Sequence, residues 1–174
     1  VALGTMVANL SAHKRGWDKK WEEYSKWAEK GISYQNQLLN LVDEDTNAFN
    51  QIMNAYSLPK ESENDISKRN KAIQDATKNA ILIPFKIMKK SFDSMQIMKK
   101  MAEIGNPNSI TDAGVGALCA RTAVIGAFLN VKINCKDYND KNYVNEILSE
   151  GQKIVDQCCK VEQDILKIVN QKID

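Results

Sequence analysis

The chain has 174 residues, of which 43% are hydrophobic and 26% are charged, a balance typical of a soluble globular protein. Its formal net charge of +2 provides no overall field for nucleic acid or for an anionic membrane, so neither is predicted as a partner. Eight glycines and three prolines are too few for an all-β sandwich, a collagen-like chain or low-complexity disorder, and they predict long uninterrupted elements.

Apolar residues recur at steps of three and four along the whole chain, which predicts helices throughout. Residues 1–12 are typical of the end of an apolar helix. A long amphipathic helix is predicted from Trp17 to Tyr56, where the sequence Ser57-Leu58-Pro59 ends it. The polar residues 60–70 predict a loop.

Three further helices are predicted, over residues 66–104, from residue 109 or 111 to 135, and over residues 141–171. Pro84 is expected to kink the first of them or to split it in two, because proline has no N–H to donate inside a helix. Residues 105–109 form the clearest loop of the chain. We therefore predict an all-α fold, a single domain over residues 1–174 that forms a bundle of about five long helices.

Two other sequence features limit the class of protein. Residues 113–131 are apolar enough for a membrane span, but Arg121 stands at their centre, where it costs about 2.5–3.5 kcal/mol on insertion scales, so we interpret them as a core helix. The four cysteines form no CxxC pair and the chain has one histidine, so no metal site is predicted. Cysteines in apolar helical stretches are typical of reduced, buried thiols in a cytoplasmic protein.

One apolar stripe of the long helix contains a carboxylate. Leu38, Leu41, Asp45, Ala48 and Ile52 follow one another at steps of three and four. Asp45 is therefore expected to face the core, where loss of hydration disfavours its charged form and prepares it as a general acid or base near neutral pH. An aspartate at the edge of the bundle, or one paired with a lysine or arginine, fits the same pattern, and spacing alone favours these structural alternatives.

A second stripe consists of small residues between Gly116 and Ala127, and it continues into Asn130 and Asn134. Small side chains let a backbone or a flat ligand approach closely, and the two amides project the same way because they are four residues apart. Amides offer donors and acceptors, which suits a heterocycle with mixed edges. The alternative is close helix packing with a hydrogen-bonded asparagine pair, at a dimer seam for example, and the pattern alone favours it.

Seven segments in a fixed order carry a resemblance to a known family: residues 6–10 (MVANL), 14–15 (KR), 42–49 (VDEDTNAF), 58–60 (LPK), 83–84 (IP), 105–112 (GNPNSITD) and 126–134 (GAFLNVKIN). At these residues the chain resembles the cyclodeaminase/cyclohydrolase family, which comprises the C-terminal domain of formiminotransferase-cyclodeaminase and its stand-alone bacterial relatives. Two features depart from the family: a Gly-rich segment that usually precedes the first helix is not found in the sequence, and His13 stands where many relatives have glycine.

The resemblance implies an all-helical, homodimeric, cytoplasmic enzyme of folate one-carbon metabolism. The implied reaction is cyclodeamination of 5-formiminotetrahydrofolate to 5,10-methenyltetrahydrofolate and ammonia. The alternatives are a methenyltetrahydrofolate cyclohydrolase and a non-enzymatic folate-binding protein on the same fold. No permanently bound cofactor is expected, because the tetrahydrofolate derivative, with or without a polyglutamate tail, is the substrate. A formiminotransferase is kept as a candidate partner.

The resemblance also suggests roles for individual residues. Asp45 is the second aspartate of the family's D-x-D-x-x-A-F motif, the residue assigned to catalysis, and our hypothesis is that it acts first as base and then as acid. The other candidate residues are expected to bind the substrate. Those that would orient the pterin and the reacting nitrogens are Asn106, Asn108, Asp112, Asn130 and Asn134. Those that would receive the glutamate carboxylates are Lys14, Arg15 and Lys60. Asn9, in the first similar segment, completes the set.

Overall fold

The computed structural model describes residues 1–12 and 18–174, and helices account for 90% of it, so the predicted all-α fold is confirmed. No strand occurs in these two ranges. Short 3₁₀ turns cover Asp18–Lys20 and Pro107–Ser109. The five long helices are α1 (Ala2–Ala12), α2 (Trp21–Tyr56), α3 (Glu63–Ile104), α4 (Ile110–Asn134) and α5 (Lys141–Ile173).

The predicted start of the third helix is wrong, since α3 begins at Glu63 and not near residue 66. Ser62 is its N-cap: the hydroxyl accepts a hydrogen bond from the backbone N–H of Asp65 at 3.1 Å and donates one to the Asp65 carboxylate at 2.6 Å. Capping satisfies backbone donors of the first turn without any apolar residue. Apolar periodicity therefore missed this turn of helix.

Pro84 does not split the helix that contains it, because α3 runs unbroken from Glu63 to Ile104, 42 residues in all. The missing N–H of Pro84 deprives the carbonyl of Ala80, four residues earlier, of its usual helical donor. The side-chain amide of Asn134 on α4 donates to that oxygen instead, at 2.7 Å. A tertiary hydrogen bond thus replaces the helical one.

The bundle is organised around α3, which packs against each of the other four helices. One apolar core includes residues from all five helices, among them the fully buried Met88, Met95, Met98 and Met101 of α3. A second, smaller core joins α2 to α3 through Leu41, Ala48, Ala80 and Ile83. The methionines of α3 are therefore core residues.

Together with the turn before it, helix α4 is long and apolar enough to span a membrane. It is the one such helix in the described ranges. It packs against α3 and α5, with Ala113, Val124 and Val131 fully buried. Arg121 at its middle lies 3.7 Å from the buried carboxylate of Glu162 on α5. These contacts are those of a core helix with one exposed face.

Helix α1 lies at one end of a groove whose walls are α2 and α4 and whose floor is α3. It reaches Gly31 of α2 through Thr5 and Gly116 of α4 through Leu3, and Gly4 packs on Met98 of α3. Helix α3 runs antiparallel to α2 and α4 along the groove, and the other end of the groove, near Ala80, is open. Gly116 therefore serves close helix packing, which was the structural alternative for the small-residue stripe of α4.

Replacing Gly31 with alanine is expected to lower the free energy of unfolding by about 1–3 kcal/mol, since the added methyl group would overlap the side chain of Thr5. Gly126 is the matched control: a methyl group there meets nothing within 4 Å, and alanine should stabilise its helix by roughly 0.5–1 kcal/mol. Urea unfolding followed by circular dichroism measures both effects. Equal stability of the two variants would contradict the α1–α2 contact.

Candidate functional site

Asp45, Asn130 and Asn134 lie together in one pocket of about 210 Å³ at the open end of the groove. In the sequence these three residues belong to two separate stripes, and the fold brings the stripes face to face. Helix α2 supplies Asp45, α4 supplies both asparagines, and Ala80 of α3 forms the floor. The apolar part of the wall is Ala48, Phe49 and Ile52.

Helical geometry determines where Asp45 lies. Leu41 and Ala48 are buried against α3, and Asp45 stands one turn from each of them, rotated to the side of the pocket. The residue is exposed, so the desolvation expected from its apolar stripe is not found within one chain. No ion pair of Asp45 occurs within the described ranges. Of the two structural alternatives, the aspartate at the edge of the bundle is therefore correct, and the paired aspartate is not.

The two asparagines of α4 are not bonded to each other. Asn134 donates its Nδ2 to the carbonyl oxygen of Ala80 at 2.7 Å, and Asn130 is exposed with no hydrogen bond to a described residue. The hydrogen-bonded asparagine pair, which was the structural alternative for this stripe, is therefore wrong. The amide of Asn130 and the Oδ1 atom of Asn134 remain available to a ligand in the pocket.

The asparagine-rich turn after α3 is held by its own hydrogen bonds. The backbone N–H of Asn106 donates to Ser11 Oγ of α1 at 2.7 Å, and Asn106 Oδ1 accepts from the backbone N–H of Asn108 at 3.1 Å. Asn106 is buried and Asn108 is exposed. Asp112 follows in the first turn of α4, and Asn9 lies two residues before Ser11 on α1. These four candidate residues therefore belong to one end of the bundle.

That end is far from Asp45 in a single chain. About 20 residues of α4 separate the asparagine turn from Asn130, which is about 30 Å along the helix axis. The fold thus divides the predicted site residues into two groups. One group lines the Asp45 pocket, and the other lies at the asparagine turn.

The predicted carboxylate-binding cations are only partly described. Lys60 is exposed in the loop after α2, eight positions beyond Ile52 of the pocket wall, and so lies toward the Asp45 end of the bundle. Its backbone N–H donates to the Glu61 carboxylate at 3.0 Å. Lys14 and Arg15, with His13 beside them, lie outside the described residues.

The apolar surface around the pocket was not predicted from the sequence. We call it the apolar rim: Val42, Phe49 and Met53 on α2, with Leu129 and Ile133 on α4. Phe49 is 62% exposed, and Val42 and Leu129 are each 59% exposed. The rim residues are spaced by seven and four on α2 and by four on α4, and each spacing places side chains along one face of a helix. This spacing could have predicted the rim from the sequence. Exposed apolar patches of this kind mark interaction surfaces.

None of the four cysteines lines the pocket. All four cysteines are free, but Cys119 is exposed and Cys159 is half-buried, contrary to the expectation that all four are buried. Burial raises the pKa of the Cys158 thiol to about 11, so it stays protonated at neutral pH. In the part of the chain that the structure covers, no group of three or more His, Cys, Asp or Glu residues is arranged to hold a metal ion.

Comparison with known proteins gives similarities in sequence and in fold. The model of the formiminotransferase-cyclodeaminase family matches residues 1–153. A methenyltetrahydrofolate cyclohydrolase of Methylorubrum extorquens is 30% identical over 173 residues, which cover 99% of this chain and 83% of that protein. The formimidoyltransferase-cyclodeaminase of Rattus norvegicus is 30% identical over 139 residues, which cover 80% of this chain but 26% of that protein. The crystal structure of formiminotetrahydrofolate cyclodeaminase from Thermotoga maritima superposes with a TM-score of 0.79 at 27% identity, covering 99% of this chain and 82% of that one.

Proposed function

The chain belongs to the formiminotransferase-cyclodeaminase family of folate one-carbon enzymes, and from that premise we propose that it is a cyclodeaminase. It would convert 5-formiminotetrahydrofolate to 5,10-methenyltetrahydrofolate and ammonia. The observation that carries the proposal is the pocket in which a carboxylate, Asp45, lies beside two amides and an apolar wall. This combination of contacts suits a flat heterocycle with an adjacent cationic group.

The chemistry needs one proton to move between two nitrogens. N10 adds to the formimino carbon, so that the N10–C bond forms and N10 gives up its proton to Asp45. Asp45 then passes this proton to the amino nitrogen, the C–N bond breaks, and ammonia leaves. One carboxylate acts as base and then as acid, and such catalysis contributes typically 10²–10⁴-fold.

The neighbouring side chains fit this substrate. The carboxylate of Asp45 attracts the positively charged formimino group, and the apolar residues Phe49 and Ile52 offer a surface for a flat ring. Asn130 and Asn134 would hydrogen-bond the edges of the pterin and the reacting nitrogens. Lys60 would meet the glutamate carboxylates, since it is an exposed cation at the same end of the bundle.

We propose further that the active form is a homodimer and that the second copy covers the pocket. Two features support it: the apolar rim borders the pocket, and the asparagine turn of the same chain lies about 30 Å away. A two-fold arrangement with antiparallel helices brings the asparagine turn of one copy toward the Asp45 pocket of the other. The second copy would also exclude water from Asp45. A dry environment favours general acid–base chemistry by this side chain near neutral pH.

The second candidate reaction is hydrolysis of 5,10-methenyltetrahydrofolate to 10-formyltetrahydrofolate. It is favoured by the Methylorubrum extorquens relative, which carries that name and aligns over 83% of its own length. In this reaction Asp45 would take a proton from a water molecule that attacks the methenyl carbon and pass it to N5 as the C–N5 bond breaks, and the remaining hydroxyl proton would leave to solvent as the formyl C=O forms. A non-enzymatic folate-binding protein on the same fold is the third candidate, and association with a formiminotransferase stays a proposal. The free cysteines support the cytoplasm as the proposed location.

Absorbance separates the three candidates because 5,10-methenyltetrahydrofolate absorbs in the near ultraviolet. A cyclodeaminase raises this absorbance when it is given 5-formiminotetrahydrofolate. A cyclohydrolase lowers it when it is given the methenyl compound, at a rate above the spontaneous hydrolysis measured without protein. A binding protein shifts the fluorescence of the folate in a titration but changes neither absorbance with time.

A further inference from the structure

Pro84 and Asn134 are linked through one backbone carbonyl at the floor of the pocket. Pro84 is fully buried inside α3, and the carbonyl of Ala80 lacks its usual helical donor because proline has no N–H. Asn134 Nδ2 donates to that oxygen from α4 at 2.7 Å. The interior proline therefore creates an acceptor that a side chain of another helix satisfies.

This hydrogen bond determines which end of the Asn134 amide is left for a ligand. An asparagine side chain offers an acceptor oxygen at one end and a nitrogen with two N–H groups at the other, and one of these N–H groups donates to the Ala80 carbonyl. With Nδ2 directed at Ala80, Oδ1 has no hydrogen-bond partner among the described residues. Since Asn134 and Asp45 line the same pocket, both residues offer acceptor oxygens there.

We infer that Pro84 is a positioning residue that makes Asn134 a hydrogen-bond acceptor in the pocket, so that the site selects a ligand edge bearing N–H groups and positive charge. The inference rests on the proposed function and deepens it. A formimino group is such an edge, because it is a cationic amidine with N–H donors. A ligand that presents a carbonyl or carboxylate there would leave three acceptors facing one another, which disfavours binding.

The replacement of Pro84 by alanine separates this role from a structural one. The new N–H would bond the Ala80 carbonyl within α3, and Asn134 would no longer be held in one orientation. The helix should become more stable, because an interior proline costs it a hydrogen bond. Binding should become weaker at the same time. A purely structural proline would move stability and binding in the same direction.

The experiment compares the wild type with Pro84→Ala, Asn134→Ala and the double variant. For each, we would measure the Tm, the Kd for 5-formiminotetrahydrofolate by rapid-mixing fluorescence before turnover, and kcat and KM with the same substrate. The Kd for 5,10-methenyltetrahydrofolate is the comparison, since its bridged nitrogens carry no N–H group. Pro84→Ala is expected to raise the Tm and to raise Kd and KM for 5-formiminotetrahydrofolate about tenfold, the size of one lost hydrogen bond, with kcat and the Kd for the methenyl compound changed much less. The double variant should bind no more weakly than Asn134→Ala alone.

An unchanged Kd for 5-formiminotetrahydrofolate in Pro84→Ala would overturn the inference and leave the proposed function standing. Losses of affinity for this substrate that multiply in the double variant would do the same. A wild type that binds neither folate would overturn both. Nitrogen-15 NMR of the Asn134 side chain gives a readout that needs no folate. A slowly exchanging Nδ2 proton in the wild type, lost in Pro84→Ala, is expected. Absence of that protected proton in the wild type overturns the inference even if the variant does not fold.

Discussion

Replacement of Asp45 by asparagine is expected to lower the rate of methenyltetrahydrofolate formation by a factor of about 10²–10⁴, the usual contribution of general acid–base catalysis. Asparagine keeps the size of the side chain but cannot take up a proton from N10. Because Asp45 is exposed and has no ion pair within the described ranges, the fold should be unaffected. The initial rate of the absorbance increase measures the loss, and the melting temperature verifies the fold.

Asp164→Asn is the matched control for this variant. Asp164 is an exposed carboxylate on α5, and its replacement removes the same charge away from the pocket. It should retain the wild-type rate. Asp45→Asn at the wild-type rate, or both variants equally slow, would show that Asp45 does not move the proton.

Replacement of Leu129 by glutamate is expected to dissociate the proposed dimer and to abolish activity with it. Leu129 belongs to the apolar rim and is 59% exposed in the single chain, so a charge there leaves the folded monomer intact. In a two-fold dimer the substitution places a charge in the apolar contact of both copies, at a cost of several kcal/mol. Sedimentation velocity over a range of concentrations should therefore find a dimer for the wild type and a monomer for the variant.

Ile173→Glu controls for a charge on an exposed apolar residue outside the rim, since Ile173 of α5 is 56% exposed. It should stay dimeric and active. Subunit mixing then tests whether the site spans two chains. When inactive Asp45→Asn and inactive Asn108→Ala proteins exchange subunits, about a quarter of all sites regain both residues and hence activity, as symmetry requires. A monomeric wild type, or no recovery on mixing, would contradict the two-chain site.

The helices of this protein could be predicted because apolar residues repeat at helical spacing over most of its length. The same spacing placed Asp45 on one stripe and Asn130 and Asn134 on another, and these stripes do meet in one pocket. Spacing gives the face of a helix on which a residue lies. It does not give the neighbours at that height of the bundle. For this reason the exposure of Asp45 and its separation from Asn108 could not be predicted from the sequence.

Other features depend on contacts that no local pattern contains. The start of α3 at Glu63 depends on the Ser62 hydroxyl, whose capping role apolar periodicity does not register. Pro84 could be recognised as a defect in a helix, but the partner that compensates for it, Asn134, is 50 residues further along the chain. The helical spacing of the apolar rim residues on α2 and α4 can be read from the sequence. Their exposure depends on how the other helices pack, which the sequence pattern does not give.

The most direct test of the central claim, that the Asp45 pocket closes the formimino group onto N10, is the product balance of one reaction. Purified protein is mixed with 5-formiminotetrahydrofolate, and near-ultraviolet absorbance and released ammonia are followed together. The expected result is that methenyltetrahydrofolate and ammonia form in equal amounts, and that Asp45→Asn forms both more slowly by a factor of about 10²–10⁴. Binding of the substrate without release of ammonia by the wild type would contradict it.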